Sequence, residues 1–254
     1  MAKPILVANW KNNPKALSEV KTLLKQLSRD QRFYKKLTLF IAPPLPFFES
    51  ISLRAASFAH LASQDISVLT NGTHTGAVTV DILKGFGTRL AILGHSEQRA
   101  LGETSEEVSE KVKIALRSGI TPLVCVGELS RDHDGEHFEF LRQQVKLSLA
   151  GFARRGDAAK IALAYEPVWA IGQRAISAIE PLDLAQSVIF IRKVLTDMFG
   201  RVVAERVPIL YGGSVEPNNA SALLRGTGIK GFLVGRASLN AKSFRSIAES
   251  LTSK

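Results

Sequence analysis

Eight short apolar runs, each followed by a segment with helical periodicity, constrain this chain more than any other feature. The runs fall at residues 5–8, 37–42, 61–63, 90–93, 122–126, 161–165, 209–211 and 231–234. Such runs are too short for helices and lack polar alternation, as expected of strands covered on both faces. The intervening segments place apolar residues at three- and four-residue spacing. Val20, Leu23, Leu24 and Leu27 form one stripe, Val108, Val112, Ala115 and Leu116 a second, and Leu184, Val188, Ile191 and Leu195 a third. Thr104-Ser105-Glu106-Glu107 supplies a capping sequence ahead of the second stripe. Strands joined by helical crossovers run parallel. Eight such units in 254 residues predict an α/β fold, a closed single-domain (β/α)8 barrel over residues 1–254. No interdomain linker, low-complexity segment or sequence repeat interrupts it.

A barrel of this kind builds its active site at the C-terminal strand ends. There the sequence places Glu166, in AYEPVWAIG at 164–172, directly after a buried-type run and before a stiff Pro-Val-Trp start of a loop. A carboxylate so placed suits a general base that a mobile loop then covers; taken alone it is equally a satisfied structural glutamate. Four other stretches stand at strand ends: ANWKNN at 8–13, ILGHSEQR at 92–99, YGGSV at 211–215 and GFLVGRASL at 231–239. Two connections at such ends, 65–79 and 167–180, exceed what a compact barrel needs, and long loops of this kind are usually functional.

These five stretches, in this order, resemble the triosephosphate isomerase family, and the similarity runs from about Pro4 to the C-terminal helix. The resemblance implies a TIM barrel that interconverts dihydroxyacetone phosphate and D-glyceraldehyde 3-phosphate, with a small phosphorylated triose as partner. It implies that Glu166 moves the proton between C1 and C2. His95 polarises the carbonyl as a neutral ring, held so by a helix N-terminus, as in the handling of this family's histidine generally. Lys11 supplies fixed positive charge, Asn9 donates to a substrate oxygen, and Glu97 partners the lysine. Backbone donors for the phosphate come from the Gly212-Gly213-Ser214 turn, from Gly235 and Arg236, and from Gly172 once the loop closes. Each glycine alone is a turn former, and Lys11 alone a solvated lysine. His60, His74, His133 and His137 read as surface or packing residues. No cofactor is implied, and no His/Cys/carboxylate cluster has metal-ligand spacing.

Four positions depart from the family's pattern. Gln173-Arg174-Ala175 replaces Thr-Gly-Lys at the far hinge of the closing loop, and Arg236 replaces a second glycine at the phosphate turn. Thr75-Gly76-Ala77 lacks the family's glutamate, and Ser96-Glu97-Gln98-Arg99 lacks one of its arginines. Those two pair across a dimer interface in the family, so both partners are lost together. The segment from Arg99 to Gly102 is also one residue short. A homodimer through the strand-3 loop, 65–79, is still expected, because Ile66, Val68 and Leu69 are poorly suited to water.

The 33 Lys+Arg against 23 Asp+Glu give a net charge of +10. The basic residues are scattered without interleaved aromatics, so a solvated surface or mild steering of an anionic substrate is expected rather than nucleic-acid binding. The single cysteine, Cys125, sits in an apolar run and reads as a packed core thiol in a reducing compartment. No apolar segment is long enough to span a membrane, and a cytoplasmic location is expected. Other phosphate-handling barrels would need metal ligands or an inner-strand Schiff-base lysine. The alternative to an active isomerase is a catalytically weakened paralogue that binds phosphates or a partner.

Overall fold

The computed structural model describes residues 3–70, 73–132, 134–151, 155–170 and 179–252. Eight strands, β1 Ile5–Asn9, β2 Thr38–Ala42, β3 His60–Ser63, β4 Leu90–Leu93, β5 Thr121–Val126, β6 Ala162–Tyr165, β7 Ile209–Tyr211 and β8 Gly231–Val234, pair in sequence order into a closed parallel barrel. The helices are α1 Leu17–Ser28, α2 Gln31–Tyr34, α3 Phe48–Arg54, α4 Val80–Gly85, α5 Ser96–Ala100, α6 Ser105–Arg117, α7 Glu136–Ser148, α8 Pro181–Phe199, α9 Arg201–Arg206, α10 Ala220–Leu224 and α11 Ala241–Ser250. Three strands match the sequence reading to the residue, and the others differ by one residue at one end.

Strand alternation explains why the runs are apolar throughout. Val7, Ala42, Ile92, Leu123, Ala164 and Leu210 point into the barrel and pack together. Their neighbours Leu6, Ala8, Ile41, Ala91, Leu93 and Val124 point outward and pack under the helices. The first and third helical stripes are buried in full; in the second, Leu116 is only partly covered. Each fully buried large aliphatic stabilises the fold by about 1.5–3 kcal/mol. The barrel closes where β1 meets β8, Ile5 opposite Gly231. A Cβ at Gly231 would lie 1.7 Å from the Ile5 carbonyl oxygen, so only glycine allows the seam to shut.

Two local features set up the site. Thr104 and Glu107 form the capping box that starts α6, each side chain accepting the other's backbone N–H. The strand-3 loop closes at its base through Ser67 N–H to Val78 O at 2.9 Å. Ile66 departs from expectation here: at 1 % exposure it belongs to the chain's own core, while Val68 and Leu69 remain exposed. Behind the loop, Lys111 is buried against Asp65 and Glu103. Burial works against the Lys111 charge, yet these carboxylates leave its pKa raised. Among the described residues no helix is long and apolar enough to cross a membrane.

Candidate active site

The C-terminal ends of the strands converge on a cavity of about 280 Å³ lined by Asn9, Lys11, His95 and Glu166 together with the turns after β7 and β8. Glu166 follows β6, and its backbone N–H bonds Val126 O at 2.8 Å, which locks the end of β6 to β5. Its side chain is 2 % exposed. Oε2 accepts the Ser96 backbone N–H at 3.2 Å, while Oε1 lies 3.5 Å from His95 Nε2 and accepts no hydrogen bond from a described residue. Two glycines make room for this carboxylate. A Cβ at Gly127 would fall 1.9 Å from Glu166 O, and one at Gly212 would fall 2.7 Å from Glu166 Cγ.

His95 caps α5. Its Nδ1 accepts the Glu97 backbone N–H at 3.1 Å. A ring nitrogen that accepts a hydrogen bond carries no proton, so the ring proton sits on Nε2, the atom facing Glu166. Local sequence produces this directly: Gly94, with φ of 69°, turns the chain out of β4 and delivers His95 to the first turn of the helix.

Lys11 is held by its main chain. Its φ of 50° is in the left-handed region, unusual for a residue with a side chain. Asn9 Oδ1 accepts the Lys11 N–H at 3.0 Å, and Gln64 Nε2 donates to Lys11 O at 2.7 Å and to Ala42 O at 2.9 Å. The Lys11 ammonium meets Glu97 Oε1 at 2.7 Å. The backbone strain is therefore offset by side-chain hydrogen bonds on both sides of the residue.

The turns after β7 and β8 line the same cavity. Ser214 Oγ donates to Ala170 O at 2.8 Å, tying the turn after β7 to the start of the strand-6 loop. Gly235 heads the short 3-10 turn Arg236–Leu239, within 3.6 Å of the Lys11 side chain when a Cβ is imagined on it. Arg236 is exposed at the cavity rim and pairs with no described carboxylate. Gly172 and the hinge residues Gln173, Arg174 and Ala175 lie outside the described residues.

A family model described as triosephosphate isomerase matches residues 4–251. The chain is 39% identical over 250 residues to the triosephosphate isomerase of Geobacter metallireducens, covering 97% of this chain and 98% of that protein. It is 40% identical over 253 residues to that of Granulibacter bethesdensis, covering 97% and 98% respectively. The chain belongs to the triosephosphate isomerase family. It is an enzyme of that kind, and the triosephosphate isomerase of Rhodococcus jostii is similar at 35% identity over 253 residues, covering 97% of this chain and 95% of that protein.

Against this family background, two polar residues of the site, Gln64 and Glu128, escaped the sequence reading, and a third, Arg99, was read only as part of the ILGHSEQR stretch. Gln64 follows β3 and pins Lys11. Glu128, 1 % exposed, follows β5 and accepts from Tyr165 Oη at 2.8 Å and from Trp169 Nε1 at 2.9 Å, so it holds the near hinge of the strand-6 loop. Burial pushes the Tyr165 phenol up. Arg99 donates to Gly94 O at 2.8 Å and to Ser148 Oγ at 3.1 Å, which braces the segment that presents His95. The signal for Gln64 and Glu128 was available: each is a polar residue at a strand's C-terminal end, the same placement that singled out Glu166. Cys125 lies on β5 with its thiol pushed well up, first by burial and then by the Glu166 carboxylate, which fits a packed rather than a reactive thiol. His60 stacks on Phe40 at 5.5 Å, and His137 Nδ1 lies 3.0 Å from Asp132, both away from the cavity lining. His133 lies outside the described residues.

Proposed function

We propose that this cavity isomerises dihydroxyacetone phosphate and D-glyceraldehyde 3-phosphate through an enediolate, with Glu166, His95 and Lys11 as the catalytic residues. The Glu166 carboxylate takes a proton from C1. The C–H electron pair becomes the C1–C2 double bond, and the carbonyl pair moves onto O2. His95 Nε2–H donates to O2 as its charge develops, and the Lys11 ammonium, on the lining of the same cavity, stabilises that charge. Glu166 then returns its proton to C2, the hydroxyl proton on O1 passes by way of His95 to O2, and the aldehyde forms at C1. Preorganised donors aimed at developing charge each contribute about 3–4 kcal/mol in sites of this kind. Asn9 presents its amide to the same cavity. Ser214, Gly235 and Arg236, with Gly172 from the closing loop, bind the phosphate.

One observation carries this reading: a Glu166 oxygen with no hydrogen-bond partner among the described residues, 3.5 Å from a histidine nitrogen whose tautomer is fixed as a donor, within one cavity that also holds a lysine. The 3.2 Å bond from the Ser96 N–H is modest, so the carboxylate is released toward substrate at low cost. Glu166→Gln keeps the volume and removes the base. Its kcat should fall on the order of a thousandfold or more with substrate binding largely kept. Retention of a tenth of the turnover would end the assignment of the base.

The same reading includes a homodimer through the strand-3 loop. Leu45, Val68 and Leu69 are each about 40 % exposed, and Leu101 is 82 % exposed. Leu45, Val68 and Leu101 border a groove of about 650 Å³ between the strand-3 loop and the segment after α5. A cytoplasmic location accords with the lone buried thiol.

A further inference from the structure

Most charges at the helix ends are sorted by barrel end, with Asp197, Glu205 and Glu249 in last turns and Lys242 in a first turn among the exceptions. Helices run back against the strands, so their first turns lie at the catalytic rim and their last turns at the opposite rim. First turns carry Glu19, Glu49, Asp81, Glu106 and Asp183. Last turns carry Lys25, Arg54, Lys84, Arg117 and Lys146. Complementing the helix dipole accounts for these residues. It does not account for Lys3, Arg89, Lys160 and Lys230, which stand within two residues of the starts of β1, β4, β6 and β8 and in no α-helix.

Three cations of that face line one groove. A cavity of about 490 Å³ between the starts of β1, β7 and β8 is bordered by Lys3, Arg206 and Lys230 over a floor that includes Ile5, Pro208 and Ile229. None of the three pairs with a described carboxylate, although the Lys3 ammonium donates to Lys35 O at 2.7 Å. The one acid on this lining, Glu205, is taken by Arg201 at 2.7 Å. A second cavity of about 560 Å³ shares Lys3, Ile5 and Pro208 with the first and adds Lys160. The walls are held by backbone structure. The Lys230 N–H bonds Ile209 O at 2.8 Å, and Lys230 O accepts the Ile5 N–H at 3.0 Å. The Arg192 guanidinium donates to Val207 O at 2.7 Å and also to Ala204 O, fixing the chain that carries Arg206.

We propose that this groove is a binding site for a multiply charged phosphate anion, an oligophosphate chain, at the end of the barrel opposite the catalytic cavity. Three cations without a described carboxylate partner around one groove repel one another, and a ligand with several phosphates in series relieves that repulsion while accepting charge-assisted hydrogen bonds. The apolar floor leaves the cations as the principal polar groups facing the ligand.

Tripolyphosphate titrated calorimetrically into the intact protein at low salt tests this, with isomerase kinetics on the same samples. Wild type should bind it at a site that triose phosphate does not compete for. Arg206→Glu combined with Lys230→Glu should weaken that binding about tenfold or more while kcat/KM stays unchanged. Arg54→Glu combined with Lys84→Glu makes the same charge change on the same face, outside the groove, and should keep most of the affinity. Unchanged kcat in both variants shows that they fold. The proposal is overturned if the calorimetric constant equals the competitive inhibition constant, since the catalytic cavity then accounts for all binding. It is also overturned if the two double variants lose affinity equally, since the attraction is then diffuse.

Discussion

Placing a single methyl group at Gly212 tests how tightly catalysis depends on the seat of the Glu166 carboxylate. The Gly212 backbone lies outside the left-handed region, so Gly212→Ala adds no backbone strain, and its N–H bond to Tyr165 O at 2.9 Å is retained. The new Cβ would meet Glu166 Cγ at 2.7 Å and Oε1 at 3.1 Å. Carbon atoms in ordinary contact stand about 3.5–4.0 Å apart, so something must move by roughly 1 Å. The backbone around Gly212 is fixed by β6 and β7, and the yielding group is the Glu166 side chain. A misplacement of that size costs on the order of a hundredfold in turnover. The expected result is therefore a kcat lower by about two orders of magnitude, with KM changed less than about threefold and the melting temperature nearly unchanged. A coupled assay over a range of glyceraldehyde 3-phosphate concentrations reads both constants. If kcat stays within threefold of wild type, the carboxylate has slack that the packing denies, and the argument from its seat fails.

Arg236→Gly should raise KM more at low salt than at high salt, because screening already weakens an exposed charge in concentrated electrolyte; equal ratios would mean the guanidinium points away from bound phosphate. His60 has its pKa lowered from 6.5, first by burial and then by Arg89. A depressed histidine favours the fold in its neutral form, so stability falls as pH drops through 6.5 toward the folded value. His60→Gln should flatten the loss of melting temperature between pH 7 and 5 by on the order of 1–2 °C, and an unaltered slope would show that the ring is solvated in practice. Sedimentation at micromolar concentration should give a dimer for wild type, with Leu101→Glu weakening association about tenfold or more; a monomeric wild type would refute the interface.

How far the sequence carried depended on what kind of information each feature holds. Strands covered on both faces are apolar along their whole length, so residues 90–93, 209–211 and 231–234 were read to the residue. Asn9, His60 and Thr121 joined their strands through backbone pairing, which side-chain pattern does not report. Helices α4, α9 and α10, of five or six residues each, present less than two turns and leave no periodicity to find. Glu166 and His95 were legible because each sits in a long motif. Gln64 and Glu128 share the strand-end placement of Glu166 but sit in no such motif, and only the fold shows their partners Lys11, Ala42, Tyr165 and Trp169. Ile66 was misjudged for a related reason: its loop folds back on itself, and only the folded chain shows which side faces the core. The sorting of charge by barrel end is invisible in a composition of 33 bases and 23 acids, since it depends on the direction in which each helix runs.

That sorting gives the molecule a handedness toward charged materials. A protein with basic ends of helices gathered on one rim and acidic starts on the other behaves as a small electrical arrow. Laid on a cation-exchange bead, it should settle with the closed rim against the resin and the open mouth toward the liquid. Immobilisation by simple adsorption would then leave the mouth free for traffic of small molecules, whereas attachment to an anion exchanger would bring the mouth against the support.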